Sequence, residues 1–146
     1  MNRHFLKSRQ SIEFDSTAGF SELELEFGGL GCHLLADFYD CSSLPSESQQ
    51  LEQLMAAAAM ASNATIVEST FHRFNPIGLS GVVVIAESHL ACHTWPEHET
   101  ACIDFFSCSQ AINMSAAIES LWHAFGAKKV NISNIGRGVR EGSTDD

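Results

Sequence analysis

Four short apolar runs follow one another with little chain between them: ATIVEST (64–70), GVVVIAE (81–87), HLACHTW (89–95) and ACIDFFSC (101–108). Links this short cannot carry a crossover, so neighbouring strands must turn back on themselves. GCHLLADFYDC (31–41) reads as a further buried strand and KKVNISNI (128–135) as the last one. Two stretches break the two-residue period. After Pro45, Ser46 can cap a helix with Gln49 as its capping-box partner. Leu51, Leu54, Met55, Ala58 and Ala61 then form a stripe, and Asn63 is a left-handed stop. A second stripe, Ala117, Ile118, Leu121 and Phe125, lies within 114–125 and ends at Gly126. The expected fold is α+β, a two-layer α/β sandwich with a largely antiparallel sheet and both helices on one face.

Residues 1–29 read as a partly flexible N-terminal extension. Within it, Leu23, Leu25 and Phe27 alternate with glutamates and suit a strand or an adaptable arm. Residues 30–138 form the domain, and 139–146 read as a flexible tail. MNRHFLKSRQSIEF has no continuous apolar stretch of signal-peptide type, and no segment is apolar for long enough to span a membrane. The net charge of −10 argues against nucleic acid as a partner and suits a cationic small molecule or plain solubility. Five cysteines without disulfide-scaffold spacing point to reduced thiols and a cytoplasmic location.

The strand within AESHLACHTWPEHE (86–99) carries polar residues where a purely structural strand would carry Val and Ile. It either crosses an active site or binds a metal. His89, Cys92, His93, His98, Cys102 and Cys108 are ligand types, but no paired C-x2-C or H-x3-H knuckle is present, so no metal is expected. Ser88 with a histidine and Asp104, or Cys108 with His93, could form a hydrolase, but the G-x-S-x-G elbow is missing and neither arrangement is fixed. Only three lysines are available, and none lies in a phosphate cradle, so the chain's size and lysine supply argue against pyridoxal phosphate. No G-x-G-x-x-G or Walker pattern supports a nucleotide cofactor.

ATIVESTFHRFNPIGLSGVVVIAESHLACHTWPE, followed by DFFSC, resembles the prokaryotic S-adenosylmethionine decarboxylase family, and GCHLLADFYDC is similar to that family's first strand. The resemblance implies a proenzyme that cuts itself between Glu87 and Ser88 into a β chain, 1–87, and an α chain, 88–146. Ser88 would become a pyruvoyl group, the covalent cofactor whose carbonyl forms a Schiff base with the substrate amine and acts as an electron sink. The resemblance assigns His93 as the proton acceptor in processing, Cys108 as the proton donor and Ser80 as a processing aid. It assigns Phe74, Trp95 and Glu97 to substrate binding. It also implies decarboxylated S-adenosylmethionine and CO2 as products, for spermidine synthesis, and a dimer of processed αβ units. His72, His89 and His98 remain unassigned, while Cys32, Cys41, Cys92 and Cys102 read as structural.

HTWPE continues here as HET, where family members commonly carry a tyrosine and a glycine–tyrosine pair. Glu99 adds a carboxylate that could hold ornithine or arginine, so a basic amino acid is the alternative substrate. A processing-dead homologue acting as a binding or regulatory partner is the alternative of another class.

Overall fold

A computed structural model of the chain describes residues 29–138, together with 12–14, 20, 23, 25, 27 and 140. Its strands are β1 (Ile12–Phe14), β2 (Gly31–Tyr39), β3 (Ile66–Arg73), β4 (Leu79–Ile85), β5 (Ser88–Trp95), β6 (Thr100–Ser107) and β7 (Lys129–Arg137). Its helices are α1 (Ser48–Ala61) and α2 (Met114–Phe125). Among the described residues the strands form one seven-stranded sheet in the order β1-β7-β2-β6-β5-β4-β3. Every pairing within it is antiparallel. The α+β sandwich expected from the sequence is the fold observed.

Both helices lie on one face. Leu51, Met55, Ala58 and Ala59 of α1 are buried, as are Met114, Ala117, Ile118, Leu121, Trp122 and Phe125 of α2. They meet the inward residues of the central strands: Leu34, Ala36 and Phe38, Leu90 and Cys92, Ile103 and Phe105. Each Leu, Ile, Met or Phe among them contributes about 1.5–3 kcal/mol when withdrawn from water. The alternate residues of the same strands form the other face, which no helix covers among the described residues. Across it the register aligns Ile135, His33, Phe106 and His89 in one row, and Asn131, Asp37, Cys102, His93 and Ser80 in another.

The helix ends differ slightly from the sequence reading. The first capping box lies one residue later than expected: Glu47 is the N-cap, and its N–H donates to Gln50 Oε1 at 3.3 Å. Asn63 has φ +65° and Gly126 has φ +60°, so both stops fall where expected. Leu23, Leu25 and Phe27 form no described strand, although they pack against the core. The strand of the extension lies instead at Ile12–Phe14, paired to β7. The neighbouring residues 1–11 and 15–19, and 141–146 of the tail, lie outside the described residues.

Candidate active site

The β4–β5 connection is a two-residue turn, Ala86-Glu87, because Ile85 pairs with Ser88. Two-residue hairpins favour Gly, Asn or Asp, which tolerate positive φ. This turn has none of them, and the deviation falls on the next residue: Ser88 has φ +146°, a region that residues with a Cβ rarely occupy. Strain of this kind costs of order 1–3 kcal/mol and persists only where the surroundings impose it. Here they do. Ala86 N–H donates to Thr65 O at 2.8 Å, and Thr65 N–H donates to the Glu87 carboxylate at 3.2 and 3.3 Å. Cys108 N–H donates to the Glu87 carbonyl oxygen at 2.9 Å.

The peptide joining Glu87 to Ser88 is therefore gripped from both sides, and its carbonyl already faces an N–H donor. Cys108, one residue past β6, is exposed.

Ser80 and His93 form a second group. They are partners across β4 and β5, and Ser80 Oγ lies 2.7 Å from His93 Nδ1. The contact fixes the imidazole's orientation through one ring nitrogen and does not engage the other. A hollow opens beside them, walled by Phe74, Ile77, Trp95 and Glu97. Phe74, Ile77 and Trp95 are 48%, 49% and 41% exposed, an unusual amount of apolar surface at one spot. Trp95 lies 6.3 Å from the His93 ring, and His72 packs edge-on against Phe74 at 4.7 Å.

The predicted residues are thus brought together as two groups. Ser88 and His93 occupy β5 five positions apart, roughly 17 Å along the strand at 3.3 Å per residue. Glu87, Ser88 and Cys108 form one group; Ser80, His93, Phe74, Trp95 and Glu97 form the other. Glu99, on which the basic amino-acid alternative rested, does not line the hollow; it ends the 3-10 turn Pro96–His98 in a left-handed conformation. Ile77 is a wall residue that the sequence reading missed. Its signal was an isoleucine left in a Pro-Ile-Gly turn with nothing periodic around it.

The other cysteines are poor reagents. Burial pushes the Cys41 thiol up to about 11 and the Cys102 thiol up to about 12, the latter assisted by Asp37. Burial also raises Cys92. Among the described residues no three His, Cys, Asp or Glu side chains gather as a metal site.

Residues 32–138 match the family model described as S-adenosylmethionine decarboxylase. The chain belongs to the S-adenosylmethionine decarboxylase family. An S-adenosylmethionine decarboxylase proenzyme of Thermotoga petrophila is 52% identical over 110 residues, which cover 75% of this chain and 85% of that protein. The proenzyme of Moorella thermoacetica is 45% identical over 113 residues, 77% of this chain and 90% of its own length. Among solved structures, the adenosylmethionine decarboxylase of Aquifex aeolicus VF5 superposes with a TM-score of 0.68 at 30% identity, covering 82% of this chain and 99% of that one. This chain, like these relatives, is an S-adenosylmethionine decarboxylase, and the two bacterial sequences bear the name proenzyme.

Proposed function

We propose that this S-adenosylmethionine decarboxylase activates itself by cleavage between Glu87 and Ser88, giving a β chain, 1–87, and an α chain, 88–146, from a domain spanning 30–138. The observation that carries the reading is the state of that bond: Ser88 is held at φ +146°, and the carbonyl before it accepts a 2.9 Å hydrogen bond. Ser88 Oγ attacks the Glu87 carbonyl carbon, and the oxyanion that develops sits against Cys108 N–H. The C–N bond then breaks, its nitrogen takes the proton, and an ester replaces the amide. Removal of the Ser88 Cα proton breaks the Cβ–O bond and expels the main-chain carboxylate of Glu87 as the new C-terminus of the β chain. Hydrolysis of the resulting dehydroalanine releases ammonia and leaves a pyruvoyl group at residue 88. That group supplies the electron sink needed to remove CO2 from an α-amino acid.

Two residues roughly 17 Å apart cannot exchange a proton, which needs contact at about 2.6–3.2 Å. We therefore assign the complete site to a dimer. A two-fold axis through the helix-free face, near the middle of β5, would set Ser80 and His93 of one copy against Ser88 and Cys108 of the other. Each dimer would then hold two composite sites. His93 would take the Cα proton during processing, and Cys108 would return a proton to the substrate α-carbon.

In the hollow, Phe74 and Trp95 offer aromatic faces to the adenine and the sulfonium, and Glu97 accepts from ribose hydroxyls. The net charge of −10 favours a cationic substrate and disfavours nucleic acid. None of the five cysteines is joined in a disulfide, in keeping with a cytoplasmic location, and among the described residues no helix is long and apolar enough to cross a membrane.

An intact-mass spectrum of the purified protein, taken after cyanoborohydride trapping with S-adenosylmethionine, ornithine and arginine offered together, tests the proposal. Two chains split after Glu87, with the S-adenosylmethionine adduct or its decarboxylated product on the lighter one, are expected. A single uncut chain would overturn cleavage, and an ornithine or arginine adduct would overturn the substrate.

A further inference from the structure

The exposed Cys108 hangs from a turn whose central group is a buried serine. Ser107 is fully buried at the end of β6, where it is the register partner of both Ser88 and Cys32. A hydroxyl there must find partners or it destabilises the fold. It finds both in one residue two positions on: Ser107 Oγ donates to Ser109 O at 3.0 Å and accepts from Ser109 N–H at 3.0 Å. The pair closes a tight loop around Cys108. Ser109 Oγ then accepts from Ala111 N–H at 3.2 Å, which extends the fixed path toward α2. Cys108 is the residue enclosed, with its N–H on the Glu87 carbonyl and its thiol in the open.

We infer that Ser107 is a positioning residue, and that one hydroxyl, by closing the loop around Cys108, sets up both chemical steps. This rests on the functional reading above. The Cys108 N–H must point at the scissile carbonyl during self-cleavage. Later its thiol must reach the substrate α-carbon and not the neighbouring carbon of the pyruvoyl group. A loop free to rotate would satisfy neither demand for long. The sequence offers no hint of this, because serine before cysteine looks like any small strand residue.

The second demand has a product signature. After CO2 leaves, one proton and one water complete the turnover. If the proton reaches the substrate carbon, the decarboxylated amine departs and the pyruvoyl group is regenerated. If it reaches the pyruvoyl carbon, the substrate nitrogen stays on the protein as an N-terminal alanine and the substrate leaves as an aldehyde. The enzyme is then dead. The number of turnovers per inactivation therefore measures where the thiol points.

Ser107→Ala removes the hydroxyl, Ser107→Thr keeps it, and Ser107→Val matches threonine in size without it. Self-cleavage rate and turnovers per inactivation would be read by intact mass on each full-length protein, alongside its melting temperature. The expected result is that Ala and Val slow cleavage at least tenfold and lower the turnovers per inactivation at least fivefold, while Thr keeps both near wild type. Ala or Val variants with wild-type values for both readouts would overturn the inference. So would a Thr variant impaired as much as Val, since size rather than the hydroxyl would then matter. Should Ala prove too unstable to purify, the Thr and Val pair decides alone. Wild-type protein that never cuts after Glu87 would overturn the functional reading before any variant is compared.

Discussion

Ser80 Oγ sits 2.7 Å from His93 Nδ1, at the opposite end of β5 from Ser88. If His93 acts on the Ser88 of a second copy, two dead variants should rescue each other. His93→Ala should lose about 10²–10⁴ in processing rate. Ser88→Ala should remain one uncut chain. Co-expressed and purified together, the mixed dimer regains one composite site, and only the His93→Ala chain in it is cut. Chain-resolved mass spectrometry reads this directly, and a mixture in which neither chain is cut would rule out the shared site.

Alkylation should be selective. Cys108 is exposed, Cys32, Cys41 and Cys92 are buried, and the half-buried Cys102 is pushed up to about 12. At pH 8 a thiol of pKa about 12 is thiolate at about one part in ten thousand. Iodoacetamide at that pH should mark Cys108 first, and decarboxylation should fall in step with that single adduct. Peptide mapping that finds Cys102 marked before Cys108 would contradict the assignment.

Acid should weaken the fold through His33. Desolvation holds its pKa below 6.5; Asp104, 3.5 Å from its Nε2, opposes this, while Arg137 and His89 add to it. With the folded value depressed, the unfolded chain binds more protons below pH 6.5. Stability is therefore complete above pH 6.5 and declines as pH falls toward the folded value. His33→Gln should flatten that part of a melting-temperature profile. An unchanged slope would assign the decline to other groups.

A methyl group at Gly81 would sit inside the ring of Phe71, its register partner on β3. Gly81→Ala should cost about 1–3 kcal/mol by overpacking. Urea denaturation in the Ser88→Ala background keeps the chain whole and checks this. Phe71→Ala should recover part of the loss, and strict additivity of the two changes would show that the ring and the glycine are not coupled.

The strand runs, both helical stripes and both left-handed stops were legible because each rests on local spacing or on one special residue. The capping box slid because Ser46 and Glu47 compete as neighbours, and Gln50 rather than Gln49 faces the helix start. Leu23, Leu25 and Phe27 have a strand's alternation, yet they pack partly buried against the core with no ladder among the described residues, and a period alone cannot tell these apart. The candidate site residues were named as a set, through their likeness to a family. Their partition was not. Ser88 and His93 are close in sequence, and only the rise of an extended strand makes them remote. Thr65, Ser107 and Ile77 act through backbone contacts or a turn, which leave no residue-type signature.

The sheet order has a consequence for how such an enzyme can be made. After a cut at Glu87–Ser88, one piece keeps β1, β2, β3 and β4 and the other keeps β5, β6 and β7, yet β7 and β6 flank β2 on either side. The two pieces are interleaved like shuffled cards: β3 and β4 lie apart from β2 and β1 of the same piece, and β5 and β6 lie apart from β7. The ladder between β4 and β5 survives the cut, since only the turn that joined them is opened. The core cluster draws on both pieces, with α1 on one and α2 on the other. The whole chain must reach its final shape before it is severed, and a mature molecule that unfolds must reassemble from two parts meeting in solution. Cleavage as proposed would act as a ratchet: it would record that folding has succeeded and remove the short tether that made success easy.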